Sequence, residues 1–390
     1  MRVHGWTVVS VALLSAMLLP ACASDKAEDA SSVKVAVVSS RTGLLAAYGK
    51  DYLDGFTAGL DYATHGTGKA GSHTIEVTYS DDAGDPAKAT AAAKQYIGDG
   101  YRIVAGTADS GIAMQLGQLA EQNKILYISG PAATDAVTGM NRYVFRSGRQ
   151  TYQDVATAGT FIGEPAGKKV LVFAQDSTFG QGNAAAVKAV LGAKGAEVSQ
   201  ILVPQTATDF TPFARQATQA KADLIFVAWA GATTLPMWQA LDQQQVLSST
   251  TVVTGLGNAA SFSAYGPVAQ KISFLSYYFP QAPTNPVNTA MIASIQNAGS
   301  TPDLFSPDGF VAAQMIVHAV EQADGANVDS MIKALEGWTF DAPKGSETVR
   351  PGDHAMLQPM FQAKLVQQGT SWVPQLVGMV PADDTAPPGP

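Results

Sequence analysis

An α/β fold in two lobes, each a mostly parallel sheet with helices on both faces, is predicted by three properties of this sequence. Short apolar, β-rich runs alternate with segments of helical spacing, the order that produces parallel sheets covered on both faces. Beyond residue 32 the chain still has 358 of its 390 residues, more than one hydrophobic core organises, which argues for two. Hydrophobic residues make up 46% against 14% charged, with 37 Gly and 21 Pro, a composition that packs and turns and leaves little of the chain to disorder.

The elements follow in order. Residues 33–38 (VKVAVV) read as a buried strand, and Tyr52, Leu53, Phe56, Leu60 and Ala63 then recur at helical spacing, completing a βα unit. Residues 75–79 (IEVTY) alternate as a strand. Asp85 and Pro86 then open a helix, the first as its cap and the second at the first helical position. Further strands are expected at 103–105, 125–128, 170–173, 198–203, 224–227 and 252–254, each separated from the next by a helical pattern. In open α/β sheets ligands sit beyond the carboxyl ends of the strands, so the loops there are the expected functional ones. Residues 379–390, rich in Pro and Asp, read as a disordered tail.

The amino terminus has its own pattern. Met1, Arg2 and His4 precede an apolar run over residues 6–19, too short for the roughly 20 residues that span a bilayer. Residues 1–21 therefore read as a signal peptide and 22–32 as a flexible linker. The run ends in Leu19-Pro20-Ala21-Cys22, which resembles a bacterial lipobox and makes Cys22 the expected site of lipid attachment. Cys22 is the single cysteine, so no internal disulfide is available and stability must come from packing. The formal charge of -8 and the lack of any Lys/Arg cluster argue against nucleic acid or an anionic membrane surface as partner.

Two enzyme-like motifs dissolve on their context. Gly66, Gly68 and Gly71 have dinucleotide-fingerprint spacing but follow a helix and precede a strand, so they read as a turn. Residues 43–50 resemble a phosphate-binding loop with one residue too many between its glycines, and Asp51 stands where a magnesium-binding Ser or Thr belongs. His65, His73, His318 and His354 have no metal-ligand spacing, and no nucleophile elbow occurs. No catalytic constellation and no cofactor are expected.

Taken together, the strand at 33–38, Thr42-Gly43-Leu44 to Tyr48-Gly49, Asp81-Asp82-Ala83-Gly84-Asp85-Pro86, the loops at 106–110 and 129–134, and Arg350-Pro351-Gly352-Asp353-His354 resemble the Leu/Ile/Val-binding type of periplasmic solute-binding protein (type I) over nearly the whole mature chain. The resemblance implies two α/β lobes joined by three crossovers, with lobe I at 33–148 plus 278–354 and lobe II at 149–277 plus 355–378. It also implies a monomer that closes on a small-molecule ligand and delivers it to an ABC permease. A sensor of the same fold reporting to a membrane receptor is the second expectation, and an enzyme on this scaffold a distant third.

Residue chemistry gives candidate ligand contacts. Ser110 ends a strand loop and precedes Ile112, Leu116 and Leu119 at helical spacing. It reads as an N-cap whose helix offers free amides and a positive dipole end to a carboxylate. By the resemblance, Ala132 and Thr134 offer a carbonyl, an amide and a hydroxyl, with Ala133 the alternative if the register shifts by one, and Tyr48 is an aromatic wall. In the second lobe Phe179 stands where the family places an aromatic, often Tyr. Ala232 stands at a second family Tyr, with Trp229 beside it either filling the gap or packing in the core. Thr254 aligns with the Glu that pairs with an amino-acid ammonium. A buried ammonium without a counter-charge costs several kcal/mol, so the expected ligand is a carboxylate with an aromatic or neutral polar end, assisted by Arg149 as a cation facing the cleft. Asp109 or Asp308 in place of the missing Glu would restore an amino acid.

Overall fold

The computed structural model describes residues 1–5 and 32–389. Cys22 and the apolar leader lie outside the described residues. From Ser32 onward the chain builds two large sheets in succession. The first contains β1 (Ser32–Ser39), β2 (Lys69–Ala70), β3 (His73–Asp81), β4 (Ile103–Gly106), β5 (Leu126–Ser129) and β6 (Val144–Arg146), in the order β2-β3-β1-β4-β5-β6. All neighbours are parallel except β2, which pairs antiparallel with β3 at the edge. In the second sheet β7 (Lys169–Asp176), β8 (Glu197–Pro204), β9 (Leu224–Ala228), β10 (Thr251–Gly255) and β11 (Ile272–Ser276) are parallel. A small antiparallel sheet follows, of β12 (Thr339–Ala342), β13 (Gly345–Val349) and β14 (Met356–Leu357). The hairpin β15 (Met360–Gln368) and β16 (Ser371–Val380) then adds antiparallel to β11, giving the order β16-β15-β11-β10-β9-β7-β8.

The helices that cover these sheets are α1 (Ala46–Ala63), α2 (Pro86–Gly98), α3 (Ser110–Asn123), α4 (Thr151–Ile162), α5 (Thr178–Val190), α6 (Thr211–Gln219), α7 (Thr234–Gln243), the one-turn α8 (Val246–Ser249) and α9 (Phe262–Tyr265), α10 (Pro286–Asn297), α11 (Ser306–Ala323) and α12 (Val328–Leu335). Strand side chains alternate between faces, and this divides the cores. On the first sheet Val33, Val35 and Val37 pack with α1, α11 and α12, while Ala36 and Val38 pack with α2 and α3. On the second, Leu171 and Phe173 pack with α6 and α7, while Val170 and Val172 pack with α4 and α5. The chain crosses between the two halves three times: after Arg146, after Ser276 and between Leu357 and Met360. The predicted strands and the parallel order are present. The sequence reading places no strand at β6, at β11 or among β12–β16.

α1 and α11 touch backbone to backbone because three glycines line the crossing. A Cβ at Gly55 would land on the Ser306 carbonyl oxygen, one at Gly59 on that of Phe310, and one at Gly309 on that of Tyr52. Gly309→Ala is therefore expected to lower unfolding stability by at least the roughly 1–3 kcal/mol typical of overpacking, measurable as a drop in the urea midpoint at unchanged slope.

The tail expectation is corrected. Past β16, residues 382–385 form a short helical turn with Thr385 buried, and the Arg350 guanidinium donates to the carbonyls of Pro387 and Pro388. One arginine some forty residues upstream pins a segment whose composition gives no sign of it.

Candidate functional site

The loops at the carboxyl ends of both sheets' parallel strands enclose a cavity of about 480 Å³. The halves touch around it. Gly231, at φ +84°, lets the Leu44 main chain approach so closely that a Cβ there would stand 2.7 Å from the Leu44 carbonyl oxygen. Asp303 Oδ2, ahead of α11, accepts from the Ala259 amide of the other half at 2.8 Å. Of the residues singled out in sequence, Tyr48, Asp109, Ser110, Ala133, Arg149, Phe179 and Trp229 line the cavity; Ala132, Thr134, Ala232, Thr254 and Asp308 do not.

Arg149 sits on the first crossover, its side chain only 4% exposed. Nη1 donates to the Pro131 carbonyl at 2.7 Å, Nε lies 3.3 Å from Asp154 Oδ2, and the guanidinium stacks over Tyr277 at 3.9 Å from the ring centroid. Phe305 backs this stack, 5.2 Å from Tyr277, and meets Tyr48 edge-on at 4.9 Å. The cation is thus buried but well supported, by a carboxylate, a carbonyl and an aromatic face. Nε is buried and, among the described residues, without a hydrogen-bond partner, since its approach to Asp154 is an ion pair only.

The expectation for residues 131–134 changes. Arg146 Nη2 donates to the Ala132 carbonyl at 2.6 Å and its Nη1 to the Thr134 carbonyl at 3.1 Å, while Thr151 donates to the Ala133 carbonyl through both its amide and its hydroxyl. Every carbonyl of the loop therefore already accepts at least one hydrogen bond from the protein. The Thr134 amide points to Ser110 Oγ at 3.4 Å.

The α3 terminus is also corrected. Asp109, not Ser110, is the N-cap, and its Oδ1 accepts from the Ile112 amide at 2.9 Å. A carboxylate of the protein already occupies the positive end of this helix, which disfavours a second one from a ligand. Ser110 is the first helical residue, buried beside the cavity. Burial pushes the Asp109 carboxyl above its usual range, although the Ile112 and Gly111 amides oppose this.

On the second half Trp229 stacks with Phe173 at 5.7 Å, meets Phe210 edge-on at 5.3 Å and donates from its indole nitrogen to Thr233, so it forms cavity wall and core at once. Ala232 is exposed outside the cavity, since Gly231 turns the chain away. Thr254, one residue before the end of β10, turns its hydroxyl back to the Val227 carbonyl at 2.9 Å, leaving Gly255 to line the cavity. Asp308 is shut in a buried cluster beside the first crossover. Lys344 Nζ lies 3.5 Å from Asp308 Oδ1 and 3.8 Å from Glu347 Oε1, and donates to Gln358 Oε1.

Sequence reasoning missed Asp154, Tyr277, Phe305 and Gln175. Gln175 serves the wall: its Nε2 donates to the Ala230 carbonyl and its Oε1 accepts the Ala230 amide, both at 3.1 Å. Asp154 had no visible signal, because its partner Arg149 lies outside the helix, where helical spacing does not apply. Among the described residues no group of His, Cys, Asp and Glu could hold a metal ion, and no helix is long and apolar enough to cross a membrane.

Burial leaves a titration signature. It pushes Asp51 up to about 8, helped by Asp303; Glu347 up to about 7 against the pull of Lys344; and Asp154 up to about 6 against that of Arg149. Each folded-state value lies above the unfolded one, so the folded chain holds these protons more tightly. Their contribution is full below about pH 4 and lost as pH rises through each folded value. Between pH 5 and pH 8.5 they are expected to make unfolding progressively easier, and Asp51→Asn to flatten the upper part of that slope in urea titrations.

Comparison with known proteins agrees with this architecture. The family model for periplasmic binding protein matches residues 32–370. Leu/Ile/Val-binding protein homolog 3 of Brucella melitensis is 25% identical over 84% of this chain and 89% of its own. The leucine-, isoleucine-, valine-, threonine- and alanine-binding protein of Pseudomonas aeruginosa is 26% identical over 81% and 85%. Among solved structures, an ABC-type branched-chain amino acid transporter protein from Rhodopseudomonas palustris shares 32% identity at a TM-score of 0.75, covering 90% of this chain and 97% of its own. A solute-binding protein from the same organism in complex with 4-hydroxybenzoate shares the fold, at 23% identity and a TM-score of 0.82 over 90% and 97%.

Proposed function

This chain belongs to the periplasmic binding protein family, and from that premise we propose that it is a lipid-anchored extracytoplasmic receptor that closes on a small carboxylate-bearing ligand and hands it to an ABC importer permease. It is a binding protein and not an enzyme, as its relatives are. The observation that carries the reading is Arg149: a buried, aromatic-stacked cation at the wall of a cavity between the two halves, with a single side-chain hydrogen bond among the described residues, to the Pro131 carbonyl. A carboxylate meeting the guanidinium gains charge-assisted hydrogen bonds from it. Ser110 and Ala133 form the adjoining wall, Tyr48 and Phe305 an aromatic side, and Phe179 and Trp229 the opposite one. The acid carries a branched aliphatic or aromatic body, matching these walls and the ligands in the names of the relatives.

The test is a thermal-shift screen of amino acids, aromatic acids and keto acids, with calorimetry on the hits. A ligand at a hundred times its Kd adds about 2.7 kcal/mol of stability. Binding of an acid that weakens in Arg149→Gln supports the reading, and a screen in which neutral or cationic compounds alone bind defeats it. The anchor is tested separately: Cys22→Ser is expected to release the protein into the soluble fraction or leave its leader uncleaved, and unchanged membrane recovery would exclude lipidation at Cys22.

A further inference from the structure

The cavity wall carries an acid that the resemblance does not foresee. Asp154, on the first turn of α4, lines the cavity with its side chain 6% exposed. Its Oδ2 faces Arg149 Nε, while Oδ1 is buried and without a partner. An unsatisfied buried carboxylate oxygen is costly, and a donor brought by whatever fills the cavity would relieve that cost. The charge balance points the same way. Asp109, Asp154 and Arg149 are the cavity-lining residues that carry formal charge, two acids against one base. A bare monoanion deepens that negative excess, whereas an acid carrying its own positive group does not.

The two acids differ in availability. Asp109 Oδ1 is engaged by the Ile112 amide at the start of α3, while Asp154 Oδ1 has no hydrogen-bond partner among the described residues. Position matters equally: Asp154 shares one guanidinium with the proposed carboxylate site, so acceptor and donor sites lie side by side. Thr254, at the position where the resemblance places an acid, faces Val227 and contributes none.

We infer that Asp154 is a specificity-determining residue of this cavity, accepting a hydrogen bond from an N–H or O–H donor next to the ligand carboxylate held by Arg149, so that acids lacking such a donor are discriminated against. The inference rests on the carboxylate reading above and refines it. It also departs from the expectation, drawn from Thr254, Phe179 and Ala232, of a carboxylate with an aromatic or neutral polar end and no amine.

The experiment uses ligand sets that differ in this one group: leucine, 2-hydroxy-4-methylpentanoate and 4-methylpentanoate, then phenylalanine, phenyllactate and 3-phenylpropionate, each titrated calorimetrically at pH 7.5. In the better-fitting set the donor-bearing acids are expected to bind at least tenfold tighter than the plain acid. In the near-isosteric Asp154→Asn the margin of the amino acid should shrink most and that of the hydroxy acid less. Lowering the pH below 6, where Asp154 takes up a proton, should shrink the amino-acid margin in the unaltered protein, giving a check that needs no variant. Equal binding of donor-bearing and plain acids overturns the role of Asp154 and leaves the carboxylate reading standing, as does a preference unmoved by both Asp154→Asn and acid pH. Failure of every acid to bind overturns both.

Discussion

Arg149→Ala is expected to abolish tight binding of any acid ligand and to destabilise the fold in the same stroke. Loss of a charge-assisted hydrogen bond costs about 1.5–3 kcal/mol of affinity, roughly tenfold to over a hundredfold in Kd. The fold loses more, because Asp154 is then a buried carboxylate without its cation, and breaking a buried pair by removing one partner costs about 3–5 kcal/mol. The Tyr277 stack and the Pro131 tether go with it. Arg149→Lys keeps the charge but not the fork, and should fall between the two in both urea unfolding and calorimetry. Wild-type stability and affinity in Arg149→Ala would mean that the guanidinium neither holds the crossover nor meets the ligand.

Lys344→Met is expected to be at least as damaging, with no direct effect on ligand contacts. Lys344, Asp308 and Glu347 are buried together, and Asp308 Oδ2 and both Glu347 oxygens have no hydrogen-bond partner among the described residues. Lys344 is the cation that lies within 4 Å of both carboxylates. Its removal leaves them facing each other in a dry interior, at about 3–5 kcal/mol. Glu347→Gln in the Lys344→Met background should recover part of the loss, since it deletes one uncompensated charge; urea unfolding of the single and double variants measures the difference. Equal stability of the single and double variants would place the cost elsewhere.

The parts of this molecule legible in sequence are those governed by local periodicity. The buried parallel strand β9 is a continuous apolar run, β1 is one broken only by Lys34 between its flanking serines, and Asp85-Pro86 caps α2 as its chemistry requires, with Oδ1 accepting from the Ala87 and Lys88 amides. The glycines at 66, 68 and 71 all take positive φ in the turns on either side of β2, outside any phosphate-binding strand-to-helix loop. Contacts set by tertiary approach were not legible. The carbonyls of 132 and 134 are claimed by Arg146, which no spacing rule ties to them, and Asp154 reaches the cavity only because the first crossover folds Arg149 back beside it. The Ser110 cap failed for a narrower reason: Asp109, one residue earlier, is an equally good cap and took the position. Wall residues Tyr277 and Phe305 follow the second crossover and precede α11, two segments that the strand-by-strand reading left unassigned.

Ligand recognition turns on one contact, and a crystal structure of the protein with the tightest acid from the screen shows it directly. It should place the ligand carboxylate between the two sheets, within hydrogen-bond distance of the Arg149 guanidinium, with the apolar body among Tyr48, Phe179 and Trp229. A ligand bound elsewhere, or one in this cavity whose carboxylate leaves Arg149 untouched, would contradict it.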